Sequence, residues 1–378
     1  MTRSSRLASL RLDRWTLGVA RPSFGLVALV LLILGSFALA TPAAADRDDV
    51  FFKITDPRGD DHGDGSLTYP ISPEFNEGEL DLIELTAKAA KGGTEFQAIF
   101  AEPIRRPRRV AVDATGVSLS DVARFGFYTF NIDIYIDTDR EPGSGAVQTL
   151  PGRRAELDAG HAWEKVVALT PRPHAARGQL QRLMIKSLER SMATTGEAST
   201  EVEISEVKTV VPDEVGRHVF FPTRVRVSGS KVRFFVPDSF LGGPAQDDWS
   251  YTVVVSGSDL LPSFELGAAL GLGEAGEPNL MVLQREEGRN QLTFGGGTDN
   301  HNLETPIVDI IAPPEQRQER MLRSYNPRTG EPVRLSGVVP AQGDERPARY
   351  AAPTAPQQAP EVSSKSERED DDAVGEVR

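Results

Sequence analysis

Cysteine is absent from all 378 residues, which excludes disulfides, thiolate metal sites, a cysteine nucleophile and a lipid-modified N-terminal cysteine. Stability outside a cell then rests on the apolar core and on any bound ions, and a chain of this length can bury enough core for that. Histidine is scarce: His62, His161, His174, His218 and His301 stand isolated in the sequence, which gives a zinc site little support. No nucleophile elbow, Ser/His/Asp arrangement or HExxH helix occurs. Tryptophan is limited to three residues. Long helical periodicity is weak, and no internal repeat of fixed period is visible.

Positive charge is also in deficit, with 42 Lys and Arg against 55 Asp and Glu. Five of the Arg and one Asp fall in residues 1–45, so the remainder carries 37 basic and 54 acidic residues, a net charge of −17. Such a surface repels nucleic acid and anionic lipid and tolerates divalent cations. With 54 acidic residues, sequence alone cannot single out a glycosidase pair, which requires two carboxyls about 5–9 Å apart in one cleft.

What is present begins with an export signal. Arg3, Arg6, Arg11, Arg14 and Arg21 precede the apolar run FGLVALVLLILGSFALA at 24–40, and Pro42 with Ala43-Ala44-Ala45 offers a small-residue cleavage site. A run of 17 residues is near the lower limit for a bilayer span, so cleavage after 45 is expected over an uncleaved anchor. The protein is then exported, to the periplasm or beyond, and touches a membrane only if residues 1–45 are retained.

From 48 to 326 the pattern is short strands between turns. Strands are expected at 94–100, 108–113, 130–137, 163–170, 180–187, 200–205, 224–229, 231–237 and 251–257, with 224–237 forming a hairpin about Ser228-Gly229-Ser230. One short helix is expected at 315–324, after Pro313-Pro314. This is an all-β chain, an antiparallel β-sandwich with one short C-terminal helix. Residues 327–378, rich in Pro, Ala, Glu and Asp, read as a disordered tail.

Two stretches concentrate hard oxygen ligands. In DPRGDDHGDG at 56–65, Asp56, Asp60, Asp61 and Asp64 are spaced by glycines that let the backbone bring several oxygens together, the chemistry of a calcium shell. The spacing is not that of an EF-hand. An Asp/Gly turn whose carboxylates cap local N–H groups is the alternative, and composition leaves both open. In NIDIYIDTDREPGSG at 131–145, Ile132, Ile134 and Ile136 share one face, with Asn131, Asp133, Tyr135 and Asp137 on the other. Asp137 and Asp139 at the strand end repel unless a cation pairs with them; a polar outer face with a turn is again the alternative. Aromatic rings are the usual platforms for sugars, and Trp163, Trp249, Tyr69 and Tyr135 are the candidates, although core or rim packing is the favoured reading of Trp163 and Trp249, each beside a strand.

Several blocks taken together resemble a known module. DPRGDDHGDGSLTYP with EFNEGELDL, NIDIYIDTD with TLPGRRAEL and HAWEK, SYTVVVSGSD, LTFGGGTDNHN and PIVDIIAPPEQRQERMLRSY are similar, in this order over 48–326, to the glucodextranase C-terminal-like domain. That family is related to DOMON-like β-sandwiches and to S-layer-associated regions of secreted amylolytic enzymes. The resemblance implies a non-catalytic accessory module that binds carbohydrate or cell-wall polysaccharide. It also implies a structural Ca²⁺ near the early Asp-rich loop, at Asp56, Asp60, Asp61 and Asp64, with Asp299 in GGGTDNHN as a further oxygen source. The expectation is thus an exported, calcium-stabilised, polysaccharide-binding sandwich and not an enzyme. A structural or assembly protein of the cell envelope, bound to a protein partner, is the second reading.

Overall fold

The alternation in FNIDIYID forms β4 (Phe130–Asp137), with all eight residues buried. A strand buried on both faces needs cover on both, and that requirement sets the architecture. The computed structural model describes residues 50–107, 119–194, 201–260 and 279–342. β1 (Val50–Thr55), β2 (Leu82–Ala90), β3 (Gly93–Phe100), β8 (Val225–Ser228) and β9 (Lys231–Pro237) make one sheet in the order β1-β2-β3-β9-β8, antiparallel throughout. β6 (Lys165–Leu169), β7 (Val219–Phe220), β10 (Ser250–Gly257) and β11 (Ile307–Ile311) join β4 in a second, in the order β11-β10-β4-β6-β7. Its β6–β7 pair is parallel, as is the separate pair β5 (Ala155–Leu157) with β12 (Val333–Leu335).

The two sheets pack as a β-sandwich. Leu85, Phe96, Phe234 and Val236 of the first sheet meet Ile132, Ile134, Ile136, Val253 and Val255 of the second in one apolar cluster. The opposite face of the second sheet buries Tyr135, Val166, Ala168, Val254 and Ile310 in a further cluster. That layer was not expected. It is supplied by β5, β12 and two long helices, α2 (Pro173–Thr194) and α3 (Glu201–His218). α1 (Leu119–Val122) and α4 (Asp238–Leu241) are single turns, and α5 (Gln318–Leu322) is the expected C-terminal helix.

The strands expected at 180–187 and 200–205 are therefore corrected to helix. LQRLMIKS contains apolar residues that fit period two over a few positions, but Ala176 and Leu180 turn inward at helical spacing, and Val207, Val211 and Val215 recur every fourth residue. Pro173 opens α2 at the first helical position, where its missing N–H costs nothing. The strand expected at 108–113 lies outside the described residues, as does the segment 1–45.

The expected tail is corrected too, because the ordered body continues past 327. Val333 and Leu335 are fully buried, and Val338 exchanges backbone hydrogen bonds with Tyr251 at 2.8 and 2.9 Å. VRL has the alternation of a strand, and β5 provides its partner. Residues 343–378 lie outside the described ones. Among the described residues no helix is long and apolar enough to cross a membrane.

Candidate functional site

After β1 ends at Thr55, the Asp-rich loop folds across the end of the sandwich and reaches β11. Gly63 makes the close approach: its φ is +58°, its N–H donates to Val308 O at 2.8 Å, and a Cβ there would stand 2.8 Å from Ile307 O. Gln318 of α5 seats the loop. Its Nε2 donates to Asp60 O and, at 3.3 Å, to Gly63 O, while its Oε1 accepts from Ile310 N at 2.8 Å.

This seating gathers three carboxylates. Ligand oxygens of Asp56, Asp60 and Asp309 all lie within 4.8 Å of one another. Asp309, wholly buried in β11, accepts from Leu82 N of the facing sheet at 2.6 Å and from Ile310 N at 2.9 Å. Asp56 Oδ1 accepts from Ala312 N at 3.4 Å, but its Oδ2 is buried without a hydrogen-bond partner among the described residues, as is Asp60 Oδ1. Asp81, 1% exposed, adds a fourth carboxylate, with Oδ2 on Gly59 N at 2.7 Å and Oδ1 buried and unpartnered.

The electrostatics agree with the geometry. Burial, then repulsion from Asp60, raises the Asp56 carboxyl to about 8. Burial, then Asp81, raises Asp60 to about 6. Asp309 is held well above the usual carboxylate range by burial and by Asp56, and Asp81 is raised by burial with Asp61 adding to it. None of Asp56, Asp60 and Asp309 forms an ion pair among the described residues. Orphaned oxygens on an all-carboxylate, all-oxygen donor set suit a hard divalent cation such as Ca²⁺. The cluster opens on a cleft of about 590 Å³ lined also by Pro313, Pro314, Gln316 and Glu319.

Asp61 and Asp64 do not join this cluster, because the loop turns their carboxylates into the body of the fold. Asp61 accepts from the Tyr69 hydroxyl and from Gly78 N at 2.7 Å. Asp64 caps Ser66 N at 3.0 Å and pairs with Arg285 Nη1 at 3.2 Å. Burial works to raise the Asp64 carboxyl, but Arg285 and Ser66 hold it below its ordinary value. Asp309 and Asp81 were not nominated from the sequence. The available signal was an acid in the middle of the apolar run IVDII and another in ELDLIEL.

Asp137 and Asp139 do come together, joined by Glu164, with oxygens within 4.8 Å. Their oxygens are used by the turn: Asp137 accepts from Arg140 N at 2.6 Å, Asp139 from Glu141 N at 2.9 Å and Ser144 Oγ at 2.7 Å, and Glu164 from Thr138 N at 2.8 Å. Burial, with Asp139 nearby, raises Asp137 to about 6. Asp299 is exposed and belongs to neither cluster.

Three of the four candidate sugar platforms are core residues. Tyr69 packs edge-on to Phe294 and bonds Asp61; Tyr135 accepts from Leu150 N at 3.0 Å; Trp163 is fully buried, its Nε1 donating to Gln148 O at 2.9 Å. Buried rings offer no face to a sugar. Trp249 is half-buried against the inter-sheet core. A second cleft, of about 790 Å³, opens between the 148–156 loop and residues 284–288 and 301–302.

No curated protein matches the chain. Residues 51–337 match the family described as the C-terminal binding-module, SLH-like, of glucodextranase, and with this match covering the two sheets, both acidic clusters and both clefts, the chain belongs to that family.

Proposed function

We propose that this protein is an exported, non-catalytic polysaccharide-binding sandwich, stabilised by Ca²⁺ held by Asp56, Asp60 and Asp309. The observation that carries the binding half is that the family match, to a binding module, spans nearly the whole described body. The apolar segment at 24–40 with its following alanines supports export. For the calcium half, the support is the set of buried, unpartnered carboxylate oxygens at one point of the fold. A cation there would neutralise charge that burial otherwise penalises. It would also tie the end of β1, in one sheet, to β11, in the other.

Calorimetry with Ca²⁺ on chelator-stripped protein tests the metal, and sedimentation with insoluble polysaccharides tests the binding. Binding to the folded state alone raises stability by about 2.7 kcal/mol at a hundredfold excess over Kd. Identical melting of stripped and calcium-loaded protein would sink the metal, and failure to sediment with any polysaccharide would sink the binding. The second reading, an envelope assembly protein, has the SLH-like character of the family in its favour; it requires a pull-down from envelope extract to recover a stoichiometric protein partner.

A further inference from the structure

The second cleft takes no part in the metal centre, and its walls are unusually well braced. Arg153 lies behind them, 2% exposed, with Nε and Nη2 on the Asp133 carboxylate at 2.6 and 3.1 Å. The same guanidinium donates to Pro151 O at 2.9 Å and Leu280 O at 3.2 Å, and Thr305 Oγ1 donates to Arg153 O at 2.6 Å. Three chain segments are thus held by one side chain and its backbone. Gly152 presses so near that a Cβ would stand 2.3 Å from Asn279 O. Arg154, Leu280 and Met281 hold left-handed backbone, φ +53°, +43° and +64°, a strain that persists only where the surroundings over-determine it. Arg154 then spans the cleft wall to donate to His301 O at 2.6 Å.

The lining chemistry is specific. Gln284 and Asn302 present amides, and Glu156 and Glu287 present carboxylates, planar groups that can donate to or accept from adjacent hydroxyls. No Phe, Tyr or Trp ring lines the cleft among the described residues; His301 is its one ring-bearing polar lining residue. Glu156, Glu286 and Glu287 outnumber Arg154, while Arg285 is already paired with Asp64 at 3.2 Å and lies 3.8 Å from Glu304. The local charge is therefore negative and disfavours an anionic polymer. The volume lies within the ordinary range for ligand pockets, about 300–1,000 Å³.

We propose that this cleft is the glycan site of the module, and that it takes a neutral polysaccharide through hydrogen bonds from a preformed polar wall instead of an aromatic platform. The inference rests on the polysaccharide-binding reading above. A braced wall leaves little ordering to be done on binding. Glu287 and Asn302 are exposed, so a Glu287→Ala/Asn302→Ala variant removes lining groups without touching the brace.

The test is affinity electrophoresis of the full chain in a panel of soluble neutral glucans, mannans and galactans, with polygalacturonate as the anionic comparator. The expected result is retardation by a neutral glycan, a tenfold or greater loss of affinity in the double variant with unchanged melting temperature, and no retardation by polygalacturonate. Unchanged affinity in the double variant overturns the cleft while leaving the binding reading in place, and loss of binding in Trp249→Ala alone would then locate the site elsewhere. Preference for polygalacturonate overturns the neutral ligand. If the intact protein is retarded by nothing in the panel, the inference falls together with the reading it rests on.

Discussion

A carboxylate oxygen of Asp56 lies within 4.8 Å of one from Asp309, so the residue that follows β1 in one sheet meets the middle of β11 in the other. Two acids this close, one of them wholly buried, set a pH dependence whose sign can be worked out. Burial and Asp60 raise Asp56 to about 8, and burial and Asp81 raise Asp60 to about 6, against 3.8 in an unfolded chain. Between about pH 4 and pH 8 the folded, metal-free protein binds more protons than the unfolded one, so its stability falls as pH rises through that window. Stripped protein should melt higher at about pH 5 than at about pH 8. Excess Ca²⁺ displaces those protons and should stabilise most at the alkaline end. Asp64, whose carboxyl is lowered, contributes its slope only at more acid pH. Melting curves that ignore both pH and calcium would remove the cluster from the energetics.

Asp60→Asn isolates the repulsion. The change is isosteric, and the Oδ1 it affects has no hydrogen-bond partner to lose. Removing one of several mutually repelling charges should stabilise the stripped protein by on the order of 1 kcal/mol, which moves Tm by roughly 1.5–2 °C in a body the size of residues 51–337. The calcium response should disappear in the same variant. Gain without calcium and loss with it is a pattern that an ordinary Asp/Gly turn cannot produce.

The sandwich was legible because β4, β8 and β9 carry their own alternation, and the β8–β9 hairpin is marked locally by Ser228-Gly229-Ser230. The second layer was not. LQRLMIKS and TEVEIS are short enough to fit a strand, and only the longer window with Val207, Val211 and Val215 shows helical spacing. Missing α2 and α3 left the polar face of β4 looking exposed, and so Tyr135 and Trp163 looked available to a sugar. In the Asp-rich loop, Asp56 and Asp60 were readable as oxygen donors that the fold brings together. Which loop carboxylates face the cluster depends on Gln318 and β11, contacts far apart in sequence, so Asp309 stayed hidden inside an apolar strand and the turn of Asp61 and Asp64 toward Tyr69 and Arg285 could not be read.

The same correction separates the tryptophans. Trp163→Ala empties a fully buried site and frees Gln148 O, and should cost about 3–5 kcal/mol. Trp249, half-buried at the edge of the core, should cost less than half of that. Denaturant titration of both variants measures the difference, and equal costs would contradict the assignment of Trp163 to the core.

Gln318→Leu should unseat the loop while keeping the volume of the side chain. Gly63 O loses its side-chain donor, Asp60 O keeps only His62 N at 2.7 Å, and Ile310 N loses one of its two acceptors, and a buried group left unsatisfied costs about 1–3 kcal/mol. A total near the lower end, about 2 kcal/mol, is expected because the loop can relax toward solvent. Calcium affinity should fall by tenfold or more, since Asp56 and Asp60 would no longer be carried to Asp309. Calorimetry alongside denaturant melts distinguishes this from a simple loss of stability, in which affinity per folded molecule would be unchanged.

Arg153 and Asp133 allow stability and cleft geometry to be separated. Removing either partner strands a buried charge and should cost about 3–5 kcal/mol, whereas replacing both by apolar residues of similar volume can be close to neutral. Arg153→Met with Asp133→Leu should therefore melt nearer to the parent protein than either single variant does. The double variant still lacks the guanidinium that holds Pro151 O and Leu280 O, so the strained backbone at Arg154, Leu280 and Met281 loses its restraint. Recovered stability with glycan retardation still weakened would show that the ion pair serves the shape of the cleft; recovery of both together would reduce it to a packing element.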